Sequence, residues 1–289
     1  MRQLSNFKYS LPASMLLAAI LLVPTLKTGL FASDFFHKAF FTGLLPSEIA
    51  PQHPLFGMFS FSSGSEDRMR AVVSLGAAPW WSDLNVKIMF FRPLSELTHW
   101  LDYKLWPEQP AIMHLENILW YLLDICIAGL FIRSLYRDKK VAIPALFVFM
   151  YAVCGAHSLA VTWIADRNAL ISTFFGILAI LCHQRWREKK QITDLLLSLT
   201  SLLAALLAAE YGISCIPFLM SYALILEKGN FKKRIISITP ALIITLLYLL
   251  FYVKEGFGTK NSELYLSPVT DLKQFLTAAS IRVPELLAS

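Results

Sequence analysis

The sequence predicts an all-α, polytopic integral membrane protein with about seven transmembrane helices. Three observations support this fold class. Hydrophobic residues make up 56% of the 289 residues and charged residues 16%, whereas a soluble domain carries about a quarter charged residues. The apolar residues come in blocks, several of roughly the 20 residues that cross a bilayer. The basic residues between the blocks are sorted to alternate sides.

Seven apolar blocks account for the predicted spans. They lie at Leu11–Ala32, Ala111–Leu135, Val141–Val161, Ala169–His183, Leu195–Ala209, Gly212–Leu226 and Ile235–Val253. The fourth to sixth are short, so they need snorkelling flanks or a thinner bilayer to act as full spans. The first block has the positive start and small-residue end of a cleaved signal peptide. Its length, Pro24 and Lys27 favour a retained span.

Four basic clusters orient the predicted spans. They precede the first span and follow the second, fourth and sixth: Arg2 and Lys8; Arg133, Arg137, Lys139 and Lys140; Arg185, Arg187, Lys189 and Lys190; Lys228, Lys232, Lys233 and Arg234. One assignment of sides makes all four cytoplasmic. The net charge of +6 therefore reflects topology, and no nucleic-acid partner is expected. We expect a bacterial inner-membrane protein with a cytoplasmic N-terminus and a periplasmic large loop.

The chain is expected to form a single membrane domain over residues 1–289. Residues 33–110 form its large outside loop, and residues 254–289 form an outside C-terminal segment. We expect the chain to be truncated or the product of a split gene. The loop is too aromatic for a solvated linker, so we predict short amphipathic helices on the outer membrane face. Ser63 and Glu66 form a predicted capping box. A second apolar stripe runs from Phe91 to Leu105, and Trp80, Trp81, Trp100 and Trp106 suit the head-group level.

Polar groups at span ends are costly in lipid and are therefore candidate site residues. Asp34 follows the first span, where a carboxylate suits a general base or a metal ligand, or else caps the next helix. Arg92 matches phosphate with its planar fork, or else snorkels to the interface. His99 and Asp102 follow it, one helical turn apart.

Three further places hold polar groups on the same predicted side. They are His114, Glu116 and Asn117 at the start of the second span, the turn containing His157, Asp166 and Arg167, and Glu210 after the fifth span. His114 and Asn117 share a helix face, which also suits plain interhelical hydrogen bonding. No spacing of metal ligands is present, so we predict no metal site and leave the cofactor open, a divalent ion included.

These motifs, taken in order, resemble a known family. The order is an acid after the first span, Phe91-Arg92-Pro93-Leu94, His114-x-x-Asn117, a His157-centred turn with Trp163-Ile164-x-x-Arg167, and Glu210. It resembles the membrane half of the protein O-mannosyltransferase-like proteins, including those with tetratricopeptide repeats, in the GT-C superfamily of polytopic glycosyltransferases. The runs around Pro79-Trp80-Trp81 and Leu97–Tyr103 also resemble a bacterial group of uncharacterised multi-span proteins.

The resemblance implies transfer of a sugar from a polyprenyl-phosphate-linked donor to an acceptor on the outer face. It makes Asp34 the catalytic residue, with Glu210 as a second candidate. Arg92, His99, His114, Asn117, His157, Asp166 and Arg167 would then bind substrate. Two positions depart from the family pattern: Phe35 replaces a second acid, and Ala209 stands where Lys often precedes Glu.

Two alternatives to an active hexosyltransferase remain open. One is a non-catalytic membrane protein that binds or moves a lipid-linked saccharide. The other is a structural subunit of a larger membrane complex, with a partner subunit that supplies further spans. In each case the expected partners are lipids, either the lipid-linked donor or the surrounding membrane.

Overall fold

The computed structural model describes residues 2–47, 49–50, 56–136, 142–262, 265–266, 268 and 271–288. Within these ranges the chain is mostly helical, as predicted. The α-helices are α1 Arg2–Leu22, α2 Asp34–Phe41, α3 Glu66–Ser74, α4 Pro93–Leu105, α5 Pro110–Leu135, α6 Ile143–Val153, α7 Ser158–Thr162, α8 Arg167–Lys189, α9 Ile192–Ala208, α10 Cys215–Ser221, α11 Phe231–Ile236, α12 Thr239–Lys254 and α13 Leu272–Ala288. The strands are β1 Ser60–Ser63, β2 Lys87–Met89 and β3 Gly258–Lys260.

Short irregular helices connect several of these elements. Short 3-10 helices cover Val23–Lys27, Gly155–His157, Ile164–Asp166 and Glu210–Ser214, and a π-helical turn covers Tyr222–Leu226. Pro93, Pro110 and Pro144 lie in the first turns of α4, α5 and α6. A proline is favoured there because its missing N–H would have no partner within the helix.

Four helical segments among the described residues are long and apolar enough to cross a membrane: Phe7–Lys27, Pro110–Leu135, Ile164–Lys189 and Phe231–Lys254. The third predicted span is bent by 46° where Ile143–Val153 meets Gly155–Thr162, and it makes a fifth candidate if the pair is one span. The fifth and sixth predicted spans appear as the shorter apolar helices Ile192–Ala208 and Glu210–Leu226. The structure thus confirms a helical membrane architecture, and the count of seven spans stays a prediction.

The residues divide into two compact units. The first contains Met1–Thr42 and Arg92–Tyr248, and the second contains Gly43–Phe91 and Leu249–Ser289. The single membrane domain stays a prediction. Every candidate site residue predicted above belongs to the first unit.

The first unit is built around α5, α8 and α9. At one end, the Asn117 side chain near the start of α5 contacts Arg167 at the start of α8, and at the other end Ser134 Oγ donates to Gln184 Oε1 at 2.7 Å. These contacts make α5 and α8 parallel. α9 returns alongside α8, with Ser172 Oγ donating to the Ala205 carbonyl at 3.1 Å. The bundle therefore has two ends, one at the starts of α5 and α8 and one where they finish.

Close backbone approaches hold the first unit together. A Cβ at Gly129 would lie 2.8 Å from Val148 Cγ2, and a Cβ at Gly212 would lie 2.7 Å from the backbone of Ala205. Lipid offers little hydrophobic drive between helices, so small residues that let backbones approach supply much of the packing. Because Gly212 has no side chain, the turn after α9, which contains Glu210, can pack directly against the backbone of Ala205.

The second unit corrects two sequence predictions. The fold is not purely α, because β1, β2 and β3 form an antiparallel sheet in the order β1-β2-β3, with a register shift between Ser60 and Ser62. The predicted capping box is also wrong: Ser63 is the last residue of β1. The N-cap of α3 is Ser65, whose side chain makes no capping hydrogen bond. The helix itself forms where the pattern placed it.

Candidate functional site

The candidate site lies at the end of the first unit where α5 and α8 begin. It is a set of polar side chains that we call the polar network: Asp34, Arg92, Asp102, Glu116, Asn117, Arg167, Asn168 and Glu210. Five of the eight are buried: Asp34, Asp102, Asn117 and Arg167 are each 0% exposed, and Asn168 is 1% exposed. The other three, Arg92, Glu116 and Glu210, are partly exposed. Such groups are costly to bury unless each is hydrogen-bonded or paired.

Arg167 is the centre of the polar network. It is the first residue of α8, and its Nη1 lies 2.7 Å from Asp102 Oδ2 and 3.0 Å from Glu116 Oε2. Its Nε donates to Asn117 Oδ1 at 2.7 Å, and its Nη2 donates to the Met113 carbonyl at 3.0 Å. One guanidinium thus joins α4, α5 and α8. A lysine would do this less well, because its compact ammonium cannot reach acceptors in several directions at once.

Asn117 and His114 fasten the adjoining loops to α5. Asn117 Nδ2 donates to the carbonyls of Val161 and Trp163, each at 3.1 Å, and so holds the turn before α8. His114 Nε2 lies 3.0 Å from Thr28 Oγ1 and 2.8 Å from the Gly29 carbonyl. Both side chains thus make hydrogen bonds to neighbouring segments, His114 to the residues before α2 and Asn117 to the turn before α8.

Asp34 begins α2 and reaches across to the turn before α8. Its Oδ2 accepts from the Phe31 N–H at 2.9 Å, and its Oδ1 accepts from the Ala165 N–H at 2.7 Å. Neither donor belongs to α2, so Asp34 does not cap that helix. Burial raises the pKa of Asp34 above its usual 3.8, against the opposing effect of the two N–H bonds and the charges of His114 and Arg167.

Arg92 and Glu210 form a partly exposed pair in the network. Arg92 Nε and Nη2 both contact Glu210 Oε2, at 2.9 and 2.8 Å, and the two side chains are 12% and 23% exposed. With its amide turned to satisfy both neighbours, Asn168 accepts from Arg92 Nη1 at 3.1 Å and donates to the Ala165 carbonyl at 2.9 Å. The same residue, Ala165, therefore links Asn168 to Asp34.

Two buried histidines lie beside the network. His37 and His99 have ring centroids 5.5 Å apart. Burial lowers the pKa of His37 to about 3, and the charge of Arg92 acts in the same direction. Burial also lowers the pKa of His99 well below 6.5, helped by Arg167. The unfolded chain protonates both near pH 6.5, so the stability linked to the neutral rings is complete above that pH. It is lost as the pH falls towards the folded pKa values.

Two predicted site residues differ from the rest. His157 contacts Tyr121 Oη at 3.1 Å through Nδ1 and packs against the Tyr151 ring, with centroids 4.3 Å apart. Asp166 occupies the N-cap position of α8, but its side chain makes no capping hydrogen bond.

Other contributors were not singled out from sequence. Tyr103 Oη donates to the Asp34 carbonyl at 3.3 Å, and Ser95 Oγ donates to the Ala208 carbonyl at 2.9 Å, which ties α4 to the end of α9. The available signal was spacing: Ser95 and His99 are four residues apart, and Asp102 and Tyr103 follow His99 by three and four residues, so all three lie about one helical turn from His99. No group of three or more His, Cys, Asp or Glu side chains suited to a metal ion occurs among the described residues.

Comparisons with known proteins identify distant relatives. The chain is 28% identical over 142 residues to human protein O-mannosyl-transferase TMTC3, a match that covers 48% of this chain and 15% of the relative. It is 28% identical over 130 residues to protein O-mannosyl-transferase F38B6.6 of Caenorhabditis elegans, covering 44% and 18%. It is 29% identical over 126 residues to protein O-mannosyl-transferase Tmtc1 of Drosophila melanogaster, covering 44% and 14%.

These matches are partial. The matched stretch spans less than a fifth of each relative, between 14% and 18% of its length. No family model matches the chain, and no solved structure matches it. The resemblance seen in the motifs is thus supported by three animal proteins with the same printed activity. The chain is a distant relative of the protein O-mannosyltransferases, at the level of the superfamily.

Proposed function

We propose that this chain is a GT-C-type membrane glycosyltransferase that transfers a sugar from a polyprenyl-phosphate-linked donor to a hydroxyl acceptor on the outer face. The relatives named as mannosyltransferases favour mannose as the sugar. One observation carries the proposal: a continuous set of contacts joins Asp34, Ala165, Asn168, Arg92 and Glu210. It brings a carboxylate that can accept a proton and a guanidinium that can bind phosphate to the same end of one unit.

Arg92 is the proposed ligand of the donor phosphate. Its guanidinium is partly exposed, and it contacts a Glu210 oxygen, which a phosphate oxygen can replace. Arg167 is fully buried, and each of its three guanidinium nitrogens already lies against a protein oxygen. We therefore assign Arg167 an indirect role, in which it fixes the turn that carries Asn168 and, through it, Arg92.

Asp34 is the proposed general base. Each carboxylate oxygen has two acceptor positions, and the N–H groups of Phe31 and Ala165 use one on each oxygen. A raised pKa makes the carboxylate a stronger base than an ordinary aspartate. The rate should therefore fall as the pH drops through a value above 3.8, since only the ionised form accepts the proton.

Replacement of the base tests this proposal. Asp34→Asn should lower the transfer rate by about a hundred- to ten-thousand-fold and leave donor binding largely unchanged. The assay would use purified protein, mannosyl-phosphoryl polyprenol as donor and a pool of serine- and threonine-containing peptides as acceptors. Asp83→Asn is the matched control, because the exposed Asp83 also accepts a backbone N–H, from Asn85 at 2.8 Å.

The outcomes separate the roles of Asp34 and Glu210. If Asp34→Asn transfers sugar at the wild-type rate and Glu210→Gln does not, the base is Glu210. If Asp34→Asn loses its cooperative thermal unfolding while Asp83→Asn keeps it, Asp34 is a structural clamp. Equal losses in both variants would contradict a specific role for either position.

A second function is favoured by the burial of Asp34 and Arg167, both 0% exposed. A protein that binds or carries a lipid-linked saccharide needs the network only to shape its binding surface. That function predicts that the wild type binds the polyprenyl donor, that Arg92→Ala abolishes binding, and that no transfer occurs with any hydroxyl acceptor. Turnover of the donor by the wild type would exclude it.

A further inference from the structure

A cavity of about 510 Å³ lies at the other end of the first unit, where α8 finishes and α11 begins. It is not part of the polar network, and the proposed glycosyl transfer does not use it. The loop between α8 and α9 and the segment from the π-helical turn to α11 form its walls. Its charged lining residues are Arg187, Glu188, Lys190, Glu227, Lys228, Lys233 and Arg234.

The cavity carries an excess of three positive charges, from five basic and two acidic side chains. Both acids are already bonded. Glu227 Oε1 contacts Arg187 Nη2 at 2.6 Å and Arg187 Nε at 2.8 Å, and Glu188 Oε1 accepts from Gln184 Nε2 at 2.9 Å. Glu227 is thus paired with Arg187, and the excess of three is carried by Lys190, Lys228, Lys233 and Arg234 against the charge of Glu188.

The carbonyl groups before α11 take up one of these charges. Carbonyl groups at the end of a helix attract cations, and here the cation is the guanidinium of an arginine. Arg234 Nε donates to the Ala223 carbonyl and its Nη2 to the Leu224 carbonyl, each at 2.5 Å. Three lysines remain to attract an anion from outside the protein: Lys190, Lys228 and Lys233.

Exposed apolar side chains adjoin the cavity. Leu226, which lines it, is 52% exposed, Ile225 beside it is 77% exposed, and Phe231 at the start of α11 is 59% exposed. Phe231 also begins the 24-residue apolar segment Phe231–Lys254. This combination at the end of a span matches the two parts of a phospholipid. The basic groups suit its charged head, and the exposed apolar groups suit its acyl chains.

We propose that this cavity binds the head group of an anionic phospholipid, with the phosphate among Lys190, Lys228 and Lys233 and the acyl chains along Leu226 and Phe231. The basic-residue rule that predicts this end to be cytoplasmic accounts for an excess of positive charge there. It does not require those charges to line a cavity beside an apolar surface. The site is independent of the proposed glycosyl transfer, so either can fail alone.

Native mass spectrometry of the full chain in detergent tests the proposal. Dioleoyl-phosphatidylglycerol is titrated against dioleoyl-phosphatidylcholine, which has the same chains but no net charge. Each lysine near an anionic lipid contributes about 1 kcal/mol, so Lys228→Gln with Lys233→Gln should weaken phosphatidylglycerol binding roughly thirtyfold. Phosphatidylcholine binding should not change.

Matched variants exclude general electrostatic attraction. Lys8→Gln with Lys232→Gln removes the same charge from the same predicted side, but neither residue lines the cavity; this variant should bind phosphatidylglycerol like the wild type. Lys228→Arg with Lys233→Arg should also keep binding. Equal weakening by both glutamine pairs would overturn the proposal. So would release of the lipid by millimolar inorganic phosphate, which would indicate a soluble phosphate ligand instead.

Discussion

Arg92 and Arg167 carry the same side chain in opposite surroundings. Arg167 is fully buried and contacts Asp102, Glu116 and Asn117, whereas Arg92 is partly exposed and contacts Glu210 and Asn168. A buried guanidinium that satisfies several acceptors is hard to replace, because its loss leaves uncompensated buried charge. A partly exposed one is free to exchange its partner for a ligand.

The two arginines therefore predict different defects when each is changed to lysine. Arg167→Lys should lower the free energy of unfolding by about 3–5 kcal/mol, since a lysine cannot hold all of these acceptors. Arg92→Lys should change stability by about 1 kcal/mol at most and weaken donor binding through loss of the planar fork. Thermal unfolding in detergent and donor titration measure the two effects. A donor-binding defect confined to Arg167→Lys would reverse the assignment.

At the scale of elements, α4 buries its polar side chains and exposes its apolar ones. Its buried residues are Ser95, Glu96, His99, Asp102 and Tyr103, and its apolar residues Leu97, Leu101 and Leu105 are 51%, 41% and 59% exposed. In a water-soluble protein this pattern would be reversed. The apolar stripe read from the sequence thus exists, and it faces away from the first unit's interior, as suits a helix at a lipid boundary.

The junction of α9 with the turn after it depends on one glycine. Gly212→Ala places a Cβ 2.7 Å from the Ala205 carbonyl carbon, and backbone there cannot move aside cheaply. We expect a loss of at least about 1–3 kcal/mol in the free energy of unfolding together with displacement of Glu210. Gly155→Ala is the control, because its Cβ would meet nothing within 4 Å. Thermal unfolding compares the two, and equal stability would contradict the close packing of α9.

At the scale of the whole molecule, the basic clusters predict the orientation of the chain. Reporter fusions after Lys190 and Arg234 should report the cytoplasm, and fusions at Gly64 and Asn261 should report the outside. Gly64 and Lys190 are predicted to lie on opposite sides, which requires an odd number of spans between them. That number is three if the bent segment from Ile143 to Thr162 crosses the membrane fully, and two if it does not. A fusion on the unexpected side would break the seven-span prediction and locate the segment that fails to cross.

Much of the architecture was predictable because it rests on local composition. Apolar blocks predict the helical membrane class and the helices α5, α8 and α12. The basic clusters at their flanks are visible in the sequence directly. The sheet β1-β2-β3 was missed, since its strands are at most four residues long and come from distant parts of the chain. Strands that short carry too little periodicity to distinguish them from loop.

The candidate site shows the same division. The sequence by itself determined which polar residues occur at span ends, because charged groups are costly in lipid and their positions are therefore informative. Only the tertiary structure decided their partners: Asp34 with Ala165, Arg167 with Asp102, and Arg92 with Glu210, the last pair separated by 118 positions. The physical reason is that burial and hydrogen-bond geometry depend on helix packing, which assigns one arginine to the interior and leaves the other accessible.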